Sequence, residues 1–427
     1  MDGLRAPFGV PPLLHHEGAR ADNGYSRRAM LRLSGAAGLS FLTAACGGGG
    51  GSTGSGGSSA PVTIPTPGQT QTEVPVALTN QPVVSPTKTM FGVNYYDLFH
   101  RFITYAAPFN PDEQLKQLSD RNIRLVRFAA GPLWARDWKL WNADPDRYKA
   151  GLDRIFDAAD KYGMHMIPVL MSAPFGLSDL MGERFSAWGN PASATRREFD
   201  RFIPDMVRRF RSHPSILMWE LANEMNAFAN TPTGYTFYPP EDIILKTVRT
   251  VADNYTSADM ISVHSRFAEL VRQEDPTRHF ESGSTTPNGR QTRRSQGRDG
   301  LDSREEMIQA MTETLAGGSK MLSVHLYDDL CTDRFDKNGS TFAEMILLAR
   351  KAADQNGAKL YLGEFGVFKS ASETNDRTRF RQMIAEIKAA NVDFASVWAY
   401  DWMHNANWNM SSTERSWMLD ELTAANS

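Results

Sequence analysis

Three observations predict an α/β chain folded as a (β/α)8 TIM barrel, preceded by a signal segment and a disordered linker. Eight short apolar runs alternate with longer amphipathic stretches. They spread over about 340 residues, within the range of that barrel, which is typically ~250 residues and exceeds 400 with insertions. The first ninety residues have no such alternation, and the composition of the 427-residue chain, 41% hydrophobic and 22% charged, is that of a globular protein with a sizeable core. A doubly wound open sheet is the second arrangement compatible with the same repeats.

The elements follow in order. Residues 1–46 read as an export signal, because "SRRAMLRLSGAAGLSFLTAAC" sets Arg27 and Arg28 before an apolar stretch too short to span a bilayer. Ser26 to Arg32 resembles the bacterial twin-arginine signal, and "LTAAC" resembles a lipoprotein cleavage site, which implies a lipid anchor on Cys46. Thr43 stands where leucine is usual; cleavage without lipid, or a start at Met30, are the alternatives. An exported, membrane-anchored bacterial lipoprotein, periplasmic or on the cell surface, is the expected location, with a secreted protein as the other outcome. Residues 47–87 run through Gly/Ser and then Pro/Thr/Val tracts with no usable period, a linker reaching on the order of 35 Å as a coil. Cys331 is the only other cysteine, so no disulfide framework is expected.

The barrel is expected over 88–427. Its strand runs are 89–96, 123–131, 165–171, 215–223, 279–284, 321–327, 359–366 and 394–400. The stretches between them carry helix punctuation: "PDEQLKQLSDRN" opens on proline, while "PDRYKAGLDRIFDAADKYG" and "TFAEMILLARKAADQNG" close on glycine. Insertions at 225–257 and 285–302 follow the fourth and fifth strands, on the face where βα-loops build active sites. A net charge of −3 argues against nucleic acid as a partner, and the run "GRQTRRSQGRDG" at 289–300 reads as a solvated loop. A monomer touching the membrane only through its lipid is expected.

The chemistry lies in "WELANEMN", residues 219–226. As a helix, Glu220 and Glu224 would stack at i, i+4; the apolar run after Pro214 favours a strand instead. On a strand, Glu220, Ala222 and Glu224 share a side, with Glu224 at the C-terminal rim and Glu220 deeper, needing a cationic partner. "KLYLGEFG" brings Glu364 to the same rim on strand seven, between Gly363 and Gly366, which leave room for a ligand. Two carboxylates at the mouth suit glycoside hydrolysis, with retention if they stand about 5–5.5 Å apart and inversion at ~6.5–9.5 Å.

These motifs resemble glycoside hydrolase family 5, the cellulase and mannanase family of retaining (β/α)8-barrel glycosidases. The resemblance covers roughly 90–410 and implies that Glu224 is the acid/base, Asn223 holds the sugar 2-hydroxyl and Glu364 is the nucleophile. Arg127, His325, Tyr327 and Trp398 match at other strand ends. Arg127 and Tyr327 are expected to hold Glu364 ionised, His325 to bond sugar hydroxyls, and Trp398 to stack on a pyranose. Met225 replaces the usual proline, and "LMSAP" after strand three lacks the family's His or Asn. Trp134, Trp402 and Trp408 are further candidate sugar platforms, whereas His165, at a strand start, reads as structural.

The function implied is retaining, endo-acting cleavage of β-1,4-linked mannan or glucan, with no metal and no organic cofactor. "WELANE", "HLY" and "EFGV" lean toward the mannanases. An exo-acting β-glycosidase and a non-catalytic carbohydrate-binding lipoprotein on the same barrel are the alternatives. A metal-dependent barrel hydrolase is disfavoured because the domain has no His-x-His.

Overall fold

The computed structural model describes residues 86–427, except 105–108, 134, 232–249, 332–333, 336–338 and 404. The expected signal with Cys46, nearly all of the linker and Trp134 therefore lie outside the described residues.

Eight strands form one parallel sheet: β1 Met90–Asn94, β2 Leu125–Ala129, β3 His165–Met171, β4 Met218–Ala222, β5 His279–Glu281, β6 Met321–His325, β7 Lys359–Phe365 and β8 Phe394–Val397. Each falls inside its predicted run. Their order, β5-β4-β3-β2-β1-β8-β7-β6, is that of a (β/α)8 barrel with its seam between β5 and β6. β5 is only three residues long, and side chains help to close the seam. Ser319 Oγ donates to the Phe280 carbonyl at 2.8 Å, and Thr286 donates to the His325 carbonyl through Oγ1 at 2.6 Å and N–H at 3.2 Å.

The helices between strands form where the punctuation placed them. Pro111–Asp120 is capped by Asn110, Pro145–Lys161 by Asp144 and Phe342–Gln355 by Thr341, each cap side chain accepting a backbone N–H of the first turn. Such caps contribute about 1 kcal/mol each. Gly163 and Gly357, just past two of these helices, have φ of +61° and +56°, which a side chain would strain.

The 289–300 run, expected as a loop, contains a short helix, Gln291–Ser295. Asp302 accepts from the backbone N–H of Thr292 and Arg293, and Glu306 pairs with Arg293 and Arg298. Local carboxylates fold the run back on itself.

Inside the barrel the two-residue period of each strand sorts side chains into layers. Leu125, Ile167, Met218, Met321, Tyr361 and Phe394 form an apolar plug. Two residues farther along β2 and β4 stand Arg127 and Glu220, and the layer above the plug is polar. Outside, the strands' other faces pack on the helices in a second core that includes Phe91, Val126, Phe128, Trp219 and Leu360.

Candidate active site

Arg127 organises the polar layer. It has no solvent exposure and makes five hydrogen bonds. Nε and Nη2 fork onto Glu220 at 2.7 and 2.5 Å, Nη1 reaches Asn94 Oδ1 at 2.9 Å and Glu364 Oε1 at 3.0 Å, and Nη2 reaches Asn223 Oδ1 at 2.8 Å. The cationic partner expected for Glu220 is thus this guanidinium. Burial works against the Arg127 charge, but Glu220 and Glu364 outweigh it and hold its pKa well above the ordinary value. Tyr96 covers the guanidinium with its ring at 5.3 Å. Asn94 is fixed in turn, its amide donating to the carbonyls of Gly363, Ser396 and Val397.

Glu364 owes its direction to a bulge. The register of β6 on β7 pairs Val324 with Leu362 but His325 with Glu364, so Gly363 is bulged out of the ladder. A Cβ on Gly363 would stand 2.7 Å from His325 Nε2, and one on Gly366 would stand 2.7 Å from the Trp398 carbonyl oxygen. The flanking glycines thus serve close packing of protein on protein, a correction to the expectation that they leave room for a ligand. Glu364 Oε1 accepts from Arg127, and Oε2 accepts from Tyr327 Oη at 2.9 Å. Its side chain is 2% exposed.

Glu224 is placed differently from expectation. β4 ends at Ala222, and Glu224 adopts left-handed φ/ψ of +55° and +31°, so strand alternation no longer aims it. Its N–H donates to the Gly283 carbonyl at 2.8 Å, and a 3-10 turn, Met225–Phe228, follows. Left-handed conformation in a non-glycine residue costs on the order of 1 kcal/mol and clusters at functional sites. Met225 suits it, because a proline there would push residue 224 toward extended conformations.

His325 lies between the two acids, with Nδ1 2.9 Å from Glu224 Oε1 and 3.3 Å from Glu364 Oε1. Two acceptors around Nδ1 assign the proton to that nitrogen. The ring has no exposure, so the expected contact with sugar hydroxyls gives way to one that tethers Glu224. An oxygen of Glu224, one of Glu364 and a His325 nitrogen all lie within 4.8 Å of one another. That spacing is on the retaining side of the two glycosidase geometries.

The same three groups could ligate a cation by distance alone. Arg127 already contacts Glu364 Oε1, however, and its charge opposes a second cation there; a single imidazole also falls short of the His sets of most zinc hydrolases.

Asn223 gives its Oδ1 to Arg127, which turns the amide N–H2 into its remaining polar end. Trp398 is partly exposed and clusters with Tyr96 and Trp402, centroids 5.5 Å away in each case. Trp402 joins that aromatic wall, while Trp408 is buried against Tyr327 and Phe368 and packs rather than presents a face. In "LMSAP", Ser172 Oγ donates to the carbonyls of Gly131 and Val169, and Tyr96 Oη to the Ser172 carbonyl, so the turn is satisfied internally. Sequence reasoning missed Asn94, Tyr96 and Glu281. Asn94 and Glu281 end β1 and β5, and Asn94, a polar residue closing an apolar run, is the one whose position could have marked it.

The sequence profile of Cellulase (glycosyl hydrolase family 5) matches residues 79–406. The chain belongs to glycosyl hydrolase family 5. No curated protein gives a match. Among solved structures, the chain is similar to an endo-1,4-beta-D-mannanase from Thermotoga petrophila RKU-1, with a TM-score of 0.56 at 14% identity over 79% of this chain and 99% of that one. It is also similar to an endo-1,4-beta-mannanase from Rhizomucor miehei, with a TM-score of 0.58 at 13% identity over 79% and 95%. An exo-beta-1,4-mannosidase from an Opitutaceae bacterium, strain TAV5, gives 0.55 at 14% identity over 80% of this chain and 59% of that one. At such identities the likeness is one of fold, and family 5 membership makes the protein a glycosyl hydrolase.

Proposed function

We propose that this family 5 enzyme is a retaining, endo-acting hydrolase of β-1,4-linked polysaccharide, with mannan ahead of glucan. The observation that carries the reading is the unequal dressing of two carboxylates within 4.8 Å. Glu364 accepts from a guanidinium and a phenol, which favours the ionised nucleophile. Glu224, at 16% exposure, is reached by the imidazole of His325 and faces the mouth as the proton carrier.

Glu364 attacks the anomeric carbon as Glu224 protonates the departing oxygen, forming a glycosyl-enzyme. Glu224 then takes a proton from water as that water displaces Glu364. The amide of Asn223 is placed to bond the sugar 2-hydroxyl, and Trp398 offers an apolar face to the ring. The mannanase preference is supported by the "WELANE", "HLY" and "EFGV" motifs and by mannan-active proteins among the structural neighbours. Export and lipidation at Cys46 belong to the same proposal; mass spectrometry of the membrane-bound mature protein would show a diacylglyceryl cysteine.

The reading is tested by Glu364→Gly with azide. Hydrolysis is lost, and azide restores turnover with a glycosyl azide of inverted configuration. A folded variant that azide does not rescue removes Glu364 as nucleophile. Products from mannan, carboxymethyl-cellulose, mixed-linkage glucan and xylan then set the substrate. Internal cuts give mixed oligosaccharides, whereas single sugars or dimers released from chain ends would replace endo with exo action.

A further inference from the structure

We propose that Glu281 is held as a neutral carboxylic acid whose O–H, on Oε1, donates to Glu220, and that this shared proton keeps Arg127 turned toward Glu364. Glu281 ends β5 directly opposite Glu220 in the β4 ladder, and both are fully buried. Both oxygens of Glu220 accept from Arg127. Glu281 Oε2 accepts from the Gly283 N–H, but Oε1 meets no donor among the described residues. The group beside Glu281 is instead an acceptor, the carboxylate of its ladder partner Glu220. A buried oxygen beside an acceptor and without a donor is satisfied only by carrying the proton itself.

The charge count points the same way. One guanidinium faces Glu220, Glu364 and Glu281 in a volume closed to water; it can balance the first two only in part, and a third negative charge would be uncompensated. Burial first, and the Glu220 charge second, hold the Glu281 carboxyl well above the usual carboxylate range, against opposing contributions from Gly283 N–H and Arg127. Tyr361 on β7 faces the same group, its hydroxyl bonded to Ser396. Gly283 keeps the pair together, because at φ +66° a Cβ there would stand 2.3 Å from Glu220 Oε1.

Were the proton lost, Glu281 would compete with Glu364 and Asn223 for the guanidinium. Glu281 is thus a positioning residue, acting through Glu220 and Arg127. The consequence for catalysis rests on the proposed role of Glu364; the proton itself does not.

The first test is infrared spectroscopy of the full chain at neutral pH. A protonated-carboxyl C=O contribution beyond that of the general acid Glu224 is expected in the wild type and is lost in Glu281→Gln; a difference spectrum between the two that shows no such loss overturns the proposal. The second test is thermal stability against pH. The folded chain keeps a proton that the unfolded chain gives up above about pH 4.5, so the contribution of Glu281 to stability falls as pH rises. The advantage of Glu281→Gln in Tm should therefore grow from pH 5 to 8, and a constant offset overturns the proposal. In turnover, Glu281→Leu loses at least tenfold in kcat with little change in KM, and Gln, which still donates to Glu220, recovers most of it. Equal losses in the two variants overturn the positioning role, and if Leu does not fold, the Gln stability profile decides. Failure of azide rescue at Glu364 with the infrared band present would sink the nucleophile assignment and leave the proton where it is placed.

Discussion

Removing one oxygen, Tyr327→Phe, separates the two halves of the proposed reaction. Tyr327 Oη donates to Glu364 Oε2 at 2.9 Å, and its ring is buried against Trp408 with centroids 5.5 Å apart, a packing that phenylalanine preserves. Glu364 is neutral as a glycosyl ester and regains its charge as that ester breaks. A hydrogen bond to a charged acceptor is worth about 1.5–3 kcal/mol and one to a neutral acceptor about 1, so the donor favours ester breakdown by about 0.5–2 kcal/mol. That is about 2- to 30-fold in rate. The variant should accumulate glycosyl-enzyme, with kcat falling by that factor, KM falling in parallel, and a burst of leaving group from an activated aryl glycoside. Stopped-flow release of the aryl group measures both phases. An unchanged kcat, or a fall in kcat/KM with no burst and no drop in KM, would refute the reasoning.

Three other outcomes follow from the geometry. Glu224→Ala should lose most activity on polysaccharide yet keep its glycosylation step on substrates with good leaving groups; equal impairment on both would end the acid role. His264, buried in the helix Ser257–Glu274, has its pKa pushed down to about 4 by burial, against a smaller opposing contribution from the Thr314 backbone. It is neutral when folded and takes up its proton on unfolding below about pH 6.5, so it drains up to about 3 kcal/mol as pH falls from 6.5 through 4. Urea denaturation of His264→Leu should show a shallower acid loss than the wild type, and parallel curves would contradict this. Gly283→Ala, with its Cβ 1.9 Å from the Ala222 carbonyl oxygen, should cost at least about 2 kcal/mol in the same assay and lower kcat through Glu220; a variant as stable as wild type would show that the turn can relax.

Much of the barrel was legible because strand and helix periods survive in single runs: all eight strands lie inside the stretches that alternation and breakers marked. Tyr327 and Glu364 converge as expected because each sits near the end of such a run, whereas Arg127, expected at a strand end, stands in the middle of β2 and reaches Glu364 by the length of its side chain. What stayed hidden depends on departures from regular geometry. The left-handed turn at Glu224 breaks the period used to aim that side chain, and no residue near it announces the break, since methionine follows where proline was the expectation. His325 looked like a ligand contact because sequence shows its rim position and not the two carboxylates that enclose it. Glu281 went unread because β5 is three residues long, too short to display a period.

The bulge at Gly363 makes the site a matter of parity. Glu364 faces inward because Gly363 is held out of the ladder: counted in strict alternation from the inward Tyr361, residue 364 would face the helices. A register in which Gly363 was paired into the ladder would turn Glu364 toward the helices and bring its neighbour Phe365 into the polar layer. A chain that settled into that register would keep the barrel's outline and lose its chemistry.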